Sequence, residues 1–494
     1  MNFNFLSLIV FLPLVGALAL TLIPRLSSRA IRYISLVFTF AVFALSLFLL
    51  FRFDRSSIGI QFEEVYSWIP ALNVHYHLGV DGISLPLVVL TCLLGFIAVL
   101  ISWKVEHRTK EFFIWLLVLE SSVLGVFCAL DLLLFFIFWE VEVIPVYFLI
   151  SIWGSSNKRY SATKYVIFTL AGSALMLAGI VSLYYATGSL DMVALAQSGQ
   201  AMAQSVLPAA PIFLLLLAGF AVKLPVVPFH SWQPDAYTDA PVAVSVLLAG
   251  SLAKMGGYGM LRLCVSIFPQ IARQYAPLML TLAVIGIIYG GALALRQTNL
   301  KRLIAYSSIS HMGFVLLGIF ALSQTSLVGA SLQMVSHGLI TGLLFAVAGI
   351  IIENTGEQDI TRLGGLARQM PSSTTFFILG GLGALGLPST SGFVAEFTTL
   401  LGSFSSTEVN GVKIFVLIAL LGVLLAAGYI LWLIQRVLFG PVLPVFNDVK
   451  DTNRLQKFYC GAFVVLIFLI GIYPTGLTSI IQNSAAGVIK LLGG

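Results

Sequence analysis

The stretch LLLLAGFAVKLPVVPFHSW, residues 214–232, decides the fold class of this chain. It is an apolar run with one lysine, Lys223, more than a helical turn inside it, and with Pro225 and Pro228 close behind. A charged side chain at the centre of a bilayer costs about 2.5–3.5 kcal/mol on insertion scales, and proline interrupts helical hydrogen bonding. The sequence therefore predicts an interrupted membrane helix whose lysine has a function.

The composition of the whole chain indicates that lipid is its main solvent. Of 494 residues, 59% are hydrophobic and only 9% are charged, and the mean hydropathy is +1.02. Soluble domains keep roughly a quarter of their residues charged. Apolar runs of about 20 residues predict an all-α membrane protein, a single domain over 1–494, with about fourteen transmembrane helices. These lie near 3–24, 30–51, 80–101, 111–129, 131–152, 163–186, 210–230, 240–264, 275–295, 301–322, 326–352, 373–403, 412–440 and 456–475.

The formal charge of +6 has a topological explanation. Most of the 26 Lys and Arg residues fall in loops that follow odd-numbered helices, or at the ends of those helices. Such an excess marks the cytoplasmic side of a membrane protein. We therefore expect the basic loops in the cytoplasm and both termini on the opposite side, with the lipid bilayer, and not nucleic acid, as the partner of this surface.

A second interruption lies in GLGALGLPSTSGFVAEF, residues 381–397, where glycines and Pro388 precede Glu396. The two interruptions are five helices apart, and paired broken helices point to a transporter built from repeats. Helices 4–8 (111–264) and helices 9–13 (275–440) are the predicted repeats, with helices 7 and 12 discontinuous. The odd number of helices in each inverts the second copy. The alternative is that Pro and Gly are simply frequent in membrane helices.

Ionisable residues lie deep in six of the predicted helices. The main candidates are Glu140, Lys223, Lys254, His311, His337 and Glu396, with Glu120 and Glu142 as secondary candidates. Burial and pairing shift a pKa in opposite directions, so a set of mixed sign predicts a proton relay. Structural alternatives stay open: the lysines could snorkel, Glu140 could form a purely structural ion pair, and the histidines could be hydrogen-bonded core residues. Glu120 and Glu142 could join neighbouring helices.

Glu140 and Glu142 cannot both face one path. Two positions along a helix correspond to roughly 200° of rotation. We therefore expect only one of the two carboxylates to line a given route.

Long strings of this chain resemble one family. LLFFIFWEVEVIPVYFLISIWG, AVKLPVVPFHSWQPDAYTDAP, NLKRLIAYSSISHMGFVLLGI, LQMVSHGLITGLLF and GLPSTSGFVAEF are similar to the antiporter-like subunit M, or chain 4, of NAD(P)H–quinone oxidoreductases, which include complex I and its cyanobacterial and plastid relatives. The resemblance implies fourteen helices and proton translocation as a subunit of a NAD(P)H- or ferredoxin–quinone oxidoreductase. It implies no cofactor in this chain, because quinone, iron–sulfur clusters and the electron donor belong to partner subunits. It also implies neighbouring antiporter-like subunits as partners.

The resemblance also implies roles for individual residues. Glu140 would be the carboxylate partner of Lys223, and Lys254 the central relay lysine. His311 and His337 would be relay histidines, and Glu396 would be the terminal carboxylate. His230 would act on the uptake side.

One segment departs from the pattern, and other functions remain as alternatives. DAYTDAPVAVSVLLAG lacks the histidine and glutamate expected of the ordinary cyanobacterial form, which indicates a divergent paralogue and leaves a variant linked to carbon dioxide uptake open. The membrane would be a cyanobacterial thylakoid or a bacterial cytoplasmic membrane. The rival functions are a gradient-driven cation/proton antiporter and a haem or quinone redox protein using His311 and His337. The four cysteines and the histidines lack the spacing of a zinc site.

Overall fold

The computed structural model describes residues 4–197 and 208–493. Within these ranges, twelve helical segments are long and apolar enough to cross a membrane. Helices dominate because a backbone in lipid must satisfy its hydrogen bonds within its own segment. Residue 3, the predicted start of the first helix, and residues 198–207, part of the predicted connection near 187–209, lie outside the described residues.

The N-terminal half contains eight helices and a two-stranded sheet. In chain order these are α1 (Phe5–Leu22), α2 (Ser28–Arg52), β1 (Gln61–Ile69), β2 (Val74–Val80), α3 (Ser84–Ile101), α4 (Thr109–Cys128), α5 (Leu132–Val141), α6 (Val143–Trp153), α7 (Lys158–Thr187) and α8 (Met192–Gln197). Helices α5 and α6 form one span that is kinked at Glu142, the residue between them.

The C-terminal part contains thirteen helices. They are α9 (Ala209–Lys223), α10 (Trp232–Asp239), α11 (Val242–Leu247), α12 (Ala253–Gly259), α13 (Pro269–Leu295), α14 (Leu300–Phe320), α15 (Gln324–Thr355), α16 (Leu366–Gln369), α17 (Pro371–Leu385), α18 (Ser391–Phe404), α19 (Val412–Leu438), α20 (Arg454–Ile472) and α21 (Thr475–Leu491). The backbone widens into π-helical turns on both sides of α12, at Leu248–Leu252 and Met260–Val265.

The two predicted discontinuous helices are confirmed. Helix α9 ends at Lys223, and turns lead from there to α10 at Trp232. Helix α17 ends at Leu385, the next residue, Gly386, has a positive φ of 76° that suits a residue without a side chain, and α18 begins at Ser391. Twelve predicted helices fall on the twelve spans, and these two interrupted segments account for the other two. The total of fourteen crossings stays a prediction, because each half-helix is too short to cross alone.

Several elements were not predicted from the sequence, among them the short helices α8, α10 and α16. Strands β1 and β2 form an antiparallel hairpin in the connection after α2, and α21 follows the last predicted span. The hairpin was missed because its strand pattern is short and lies between strongly apolar runs. Helix α21 has 17 residues and is apolar on one face only, so its sequence lacks the continuous apolar run by which membrane-spanning helices are found.

The centre of the protein is formed by α14, α15 and the segment Val242–Val265, in which nearly all residues are buried. In contrast, most residues of α2 and α20 face outward. Polar side chains in a membrane protein are stable only when protein or water surrounds them, so the central helices are the ones that can carry ionisable groups.

Two short antiparallel bridges relate the halves of the chain. One joins Asp131 to Asp191 and the other joins Asn299 to Asp359. The same number of residues separates Asp131 from Asn299 as separates Asp191 from Asp359. Asn299 shares a cavity with Ser155, which follows the far end of the span that Asp131 begins. The two bridges therefore lie at opposite ends of the molecule, as inverted repeats require.

Candidate functional site

Lys223 lies at the end of α9, where the helix is interrupted, and forms a buried ion pair with Glu142. The Tyr165 hydroxyl donates to Glu142 Oε2 at 2.6 Å and lies 3.3 Å from Lys223 Nζ. The ammonium group also lies 5.4 Å from the ring centroids of both Trp139 and Tyr165, a cation–π arrangement. The lysine is therefore held by charge, by a hydroxyl and by two aromatic faces.

The expected pairing of Lys223 with Glu140 is wrong in this structure. Among the described residues, the ion-pair partner of Lys223 is Glu142. Glu142, at the break between α5 and α6, is fully buried, whereas Glu140 lines an outer groove with Ile144 and Leu170, both exposed. One oxygen of Glu140 is buried there with no hydrogen-bond partner among the described residues. That the two carboxylates face different ways is confirmed, but the periodicity could not tell which one faces the lysine.

Lys254 lies on α12, between the two π-helical turns, and is fully buried. Its Nζ is 2.7 Å from His337 Nδ1 on α15, and it also donates to the carbonyl of Ala249 in the first π turn. Helix α12 packs closely against the end of α9. A Cβ on Gly256 would lie only 2.5 Å from the Leu224 amide nitrogen, so this approach requires glycine. The two central lysines thus sit on helices in direct contact, although no hydrogen bond joins them within the described residues.

His311 and Glu396 form the second buried pair. His311 Nδ1 lies 2.8 Å from Glu396 Oε1, and the Tyr429 hydroxyl lies 3.3 Å from His311 Nε2. Gln333 Nε2 donates to the same Glu396 oxygen at 3.3 Å. The rings of His311 and His337 are 5.6 Å apart. Lys254, His337, His311 and Glu396 therefore make one continuous row.

Residues 129–422, more than half of the chain, match the family described as "NADH:quinone oxidoreductase/Mrp antiporter, TM". The chain belongs to this family. It is 41% identical to NADH-quinone oxidoreductase subunit M of Rhodobacter capsulatus, over 99% of this chain and 96% of that protein. It is 40% identical to NAD(P)H-quinone oxidoreductase chain 4 1 of Synechococcus sp. (strain JA-2-3B'a(2-13)), over 96% and 90%. These near-equal identities do not favour one of the two relatives over the other.

Solved structures give the same family. The chain superposes on a chain of respiratory complex I from Thermus thermophilus with a TM-score of 0.87 and 28% identity, covering 99% of this chain and all of that one. It also superposes on a chain of an archaeal membrane-bound sulfane sulfur reductase with a TM-score of 0.84 and 25% identity, covering 95% of this chain and 76% of that one.

The structure places two secondary candidates outside the row of this family member. His230 lies in the interruption after α9, with its ring 5.2 Å from that of Tyr289. Glu120 is buried on α4 against Gly95 of α3, and one of its oxygens has no hydrogen-bond partner among the described residues. Neither contacts the row, whereas the third secondary candidate, Glu142, is the partner of Lys223.

Sequence reasoning missed several polar residues of the site. Tyr165, Gln333 and Tyr429 contact the two buried pairs directly, and only Gln333 gave a signal, because it lies one helical turn before His337. Lys301 is the first residue of the predicted helix 301–322 and belongs to the basic loops and helix ends on which the predicted orientation rests. It is buried at the start of α14 and donates to the carbonyl of Ala240 at 2.5 Å.

Metal binding has no support within residues 4–197 and 208–493, which contain no group of three His, Cys, Asp or Glu residues that could hold a metal ion. The four cysteines are buried and unpaired.

Proposed function

We propose that this chain is the proton-translocating, antiporter-like subunit M of a redox-driven quinone oxidoreductase of the complex I type. The observation that carries the proposal is the buried row of Lys254, His337, His311 and Glu396. In this row an amine, two imidazoles and a carboxylate, all able to bind and release a proton, follow one another at close range. The relatives named NADH-quinone oxidoreductase subunit M and NAD(P)H-quinone oxidoreductase chain 4 support the redox partner. Quinone, iron–sulfur clusters and the electron donor would belong to partner subunits.

The row allows proton transfer in defined steps. The Lys254 ammonium gives a proton to His337 Nδ1, 2.7 Å away, and becomes a neutral amine. His337 Nε2 has no hydrogen-bond partner among the described residues, and the centroids of the His337 and His311 rings lie 5.6 Å apart, so we route its Nε2 proton through a bridging water to His311 Nε2. His311 in turn gives its Nδ1 proton to Glu396 Oε1 at 2.8 Å. After these steps each imidazole holds its remaining proton on the nitrogen that faces its donor, so rotation of the ring or exchange of the tautomer must restore the starting state before the next proton passes.

The Lys223–Glu142 pair is the proposed control element. While Glu142 holds the lysine, the positive charge near Lys254 is neutralised. Opening the pair exposes Lys254 to that charge and favours the loss of its proton to His337. Glu140 offers a second acceptor on the same span, because one of its buried oxygens has no partner among the described residues. A redox-driven movement in a neighbouring subunit would open and close the pair.

Protons are proposed to reach the row from a polar cavity of about 710 Å³ between the halves. Asp235 holds two cations there, with Lys164 Nζ at 2.7 Å and an Arg302 nitrogen at 3.2 Å. Basic loops surround this end of the molecule, so we place it on the cytoplasmic side. The membrane would be a bacterial cytoplasmic membrane or a cyanobacterial thylakoid.

The electron donor is the finer part of the proposal. Relatives of similar identity are named for NADH, for NAD(P)H and, in Methanosarcina mazei, for the F(420)H(2) dehydrogenase. A form linked to carbon dioxide uptake belongs to the same range. A gradient-driven cation/proton antiporter is the second candidate, because the family's description also includes Mrp antiporters.

Isolation of the protein in mild detergent tests the proposal. We expect it to co-purify with iron–sulfur subunits that reduce quinone, and the electron donor that these accept identifies the form. Recovery with hydrophobic antiporter subunits alone, and no redox centre, would favour the gradient-driven antiporter.

A further inference from the structure

A column of side chains leads from Lys254 toward the surface that carries the β1–β2 hairpin. Lys254 and Tyr258 are four residues apart on α12, so they lie on one face of that helix, and Arg262 Nε donates to the Tyr258 hydroxyl at 3.4 Å from the π turn that follows. Tyr258 is fully buried, and the Arg262 side chain is 13% exposed. The column therefore begins at the central lysine and ends close to solvent.

Arg262 is fixed at the outer end of this column. One of its terminal nitrogens lies 2.7 Å from Asp81 Oδ2, and its guanidinium carbon lies 5.6 Å from the centroid of the Tyr258 ring. Asp81 is itself rigid, because its other oxygen accepts the amides of Ile83 and Ser84 at 3.0 and 2.9 Å in the first turn of α3. The positive group consequently stays over the face of Tyr258, with its counter-ion to one side.

A cavity of about 360 Å³ lies outside Arg262. Its lining includes Glu63, Asp81, Arg262 and Ser484, and the Glu63 side chain is 47% exposed, so the cavity reaches solvent on the hairpin side. On the inner side, Lys254 and Tyr258 share no hydrogen bond within the described residues. A proton that moves inward from this cavity meets the guanidinium before it meets Lys254.

We propose that Arg262 is an electrostatic valve that insulates Lys254 from the hairpin-side surface. A guanidinium keeps its proton at all physiological pH values, and a fixed cation in a narrow, poorly solvated passage repels protons strongly. Tyr258, which is fully buried, separates Arg262 from Lys254 along the column, and Asp81 holds the cation in place. This inference rests on the proposed function. If protons could reach Lys254 from the hairpin-side surface, they would leak back through the transfer route and dissipate the proton gradient across the membrane.

Passive proton flux tests the valve. The complete complex is reconstituted in liposomes that contain a pH-sensitive dye, and a potassium diffusion potential is applied without an electron donor. We expect Arg262→Gln to raise the flux by about tenfold, since one nearby charge in a partly desolvated site changes a barrier by at least that factor. Arg262→Lys, which retains the charge, should restore a low flux.

Arg273→Gln is the matched control. Arg273 also forms an ion pair, with Glu408, but it lies at the start of α13 and its side chain is 41% exposed. We expect wild-type flux in this variant. Adding Lys254→Met to Arg262→Gln should return the flux to the wild-type level, because the leak would run through Lys254.

Three results would overturn the valve. They are wild-type flux in an assembled Arg262→Gln complex, equal leaks in the Gln and Lys variants, and a leak that persists without Lys254. If Arg262→Gln does not assemble, Asp81→Asn replaces it, because the variant keeps the cation but loses its anchor, and wild-type flux there would contradict the proposal. The flux is measured without turnover, so its outcome is separate from donor-driven pumping, which tests the proposed function.

Discussion

Each of the two five-helix segments, 111–264 and 275–440, contains one buried pair of a base and a carboxylate, but the interrupted helix carries the base in the first segment and the carboxylate in the second. In the first, the interrupted helix carries the cation, Lys223, and the kinked span carries the carboxylate, Glu142. In the second, the interrupted helix carries the carboxylate, Glu396, and α14 carries the base, His311.

A third helix supports the pair in each segment. Tyr165 of α7 contacts Glu142, and Gln333 of α15 contacts Glu396. The same number of residues separates Tyr165 from Gln333 as separates Asp131 from Asn299, which are bridge residues of the two halves. This agreement supports the proposal that the two segments are inverted repeats.

The difference between the segments lies in what adjoins each pair. The His311–Glu396 pair continues through His337 to Lys254, whereas the Lys223–Glu142 pair is enclosed by Trp139 and Tyr165. The row thus begins at Lys254 in the first segment and continues through the second, whereas the Lys223–Glu142 pair lies outside it. We infer that the Lys223–Glu142 pair of the first segment controls and that the row conducts.

Replacing Lys223 should have the largest effect on this division of roles. In Lys223→Ala, we expect the protons pumped per electron to fall by about tenfold, which corresponds to a barrier raised by about 1.4 kcal/mol. Quinone reduction should continue, because this chain is proposed to hold no redox centre. The measurement is the ratio of dye acidification to quinone reduction in proteoliposomes. The exposed Lys413→Ala serves as control, and normal pumping by an assembled Lys223→Ala complex would remove Lys223 from the mechanism.

The two neighbouring glutamates sharpen the comparison. Glu142→Gln should lower the pumping ratio several-fold, because it leaves the buried Lys223 charge without its partner. Glu140→Gln should lower it less. Both variants replace a glutamate by glutamine, at positions two residues apart, so each is the matched control for the other. The reverse order would mean that Lys223 pairs with Glu140 during turnover.

The supporting residues should give a smaller effect. Tyr165→Phe removes a 2.6 Å hydrogen bond to Glu142, and Gln333→Leu removes a weaker one of 3.3 Å to Glu396. We expect a reduction of about two- to fivefold in the pumping ratio for Tyr165→Phe, in line with a net contribution of about 0.5–1 kcal/mol, the lower part of the range for a hydrogen bond, and less for Gln333→Leu. A larger loss for Gln333→Leu would contradict the assignment of control to the first segment.

The smallest expected effect concerns the attachment of the hairpin to the first segment. His77 on β2 lies between Asp191 and Glu63, at 2.9 and 2.8 Å. Burial alone would lower the pKa of His77, but the hydrogen bonds with Asp191 and Glu63 outweigh it and raise the pKa above 6.5. Burial would likewise raise the pKa of Asp191, but the bond with His77 lowers it below 3.8.

These shifts set a pH window for the attachment. The stabilisation through His77 is complete below pH 6.5 and is lost as the pH rises through the raised pKa, and that through Asp191 is lost only as the pH falls through its lowered pKa. Amide exchange in β1 and β2, corrected for its intrinsic pH dependence, should therefore become faster between neutral and alkaline pH. His77→Gln should abolish this change, and an unchanged profile in that variant would show that another group is responsible.

Hydrophobicity and helix breakers predicted much of this architecture. The interruptions after Lys223 and before Ser391 could be predicted directly, because Pro and Gly clustered beside a buried charge at membrane depth favour a broken helix over a continuous one. The row from Lys254 to Glu396 could be anticipated for a related reason, since ionisable residues are rare in such helices. Which of Glu140 and Glu142 meets Lys223 could not be predicted, because helical periodicity places the two carboxylates on different faces but does not say which face packs toward Lys223.

Other parts of the site depend on contacts between distant segments. Tyr165 and Tyr429 look like ordinary membrane-helix residues until packing brings them to Glu142 and His311. The burial of Lys301 depends on the Ala240 carbonyl, which the interruption before α11 exposes. Local sequence contains none of this information.

The π-helical turns on either side of Lys254 have a mechanical consequence. Each π turn holds one residue more than an α turn would need, so tightening one turn while widening the other transfers a residue through α12 without disturbing the ends of the span. Such a transfer turns α12 about its axis by about 100°, the angle of one residue. The helix between the two π turns can thus rotate about its own axis while the ends of the span stay in place. A turn of that size would swing the Lys254 ammonium away from His337 and break the row at its first step, with no change in the length of the helix.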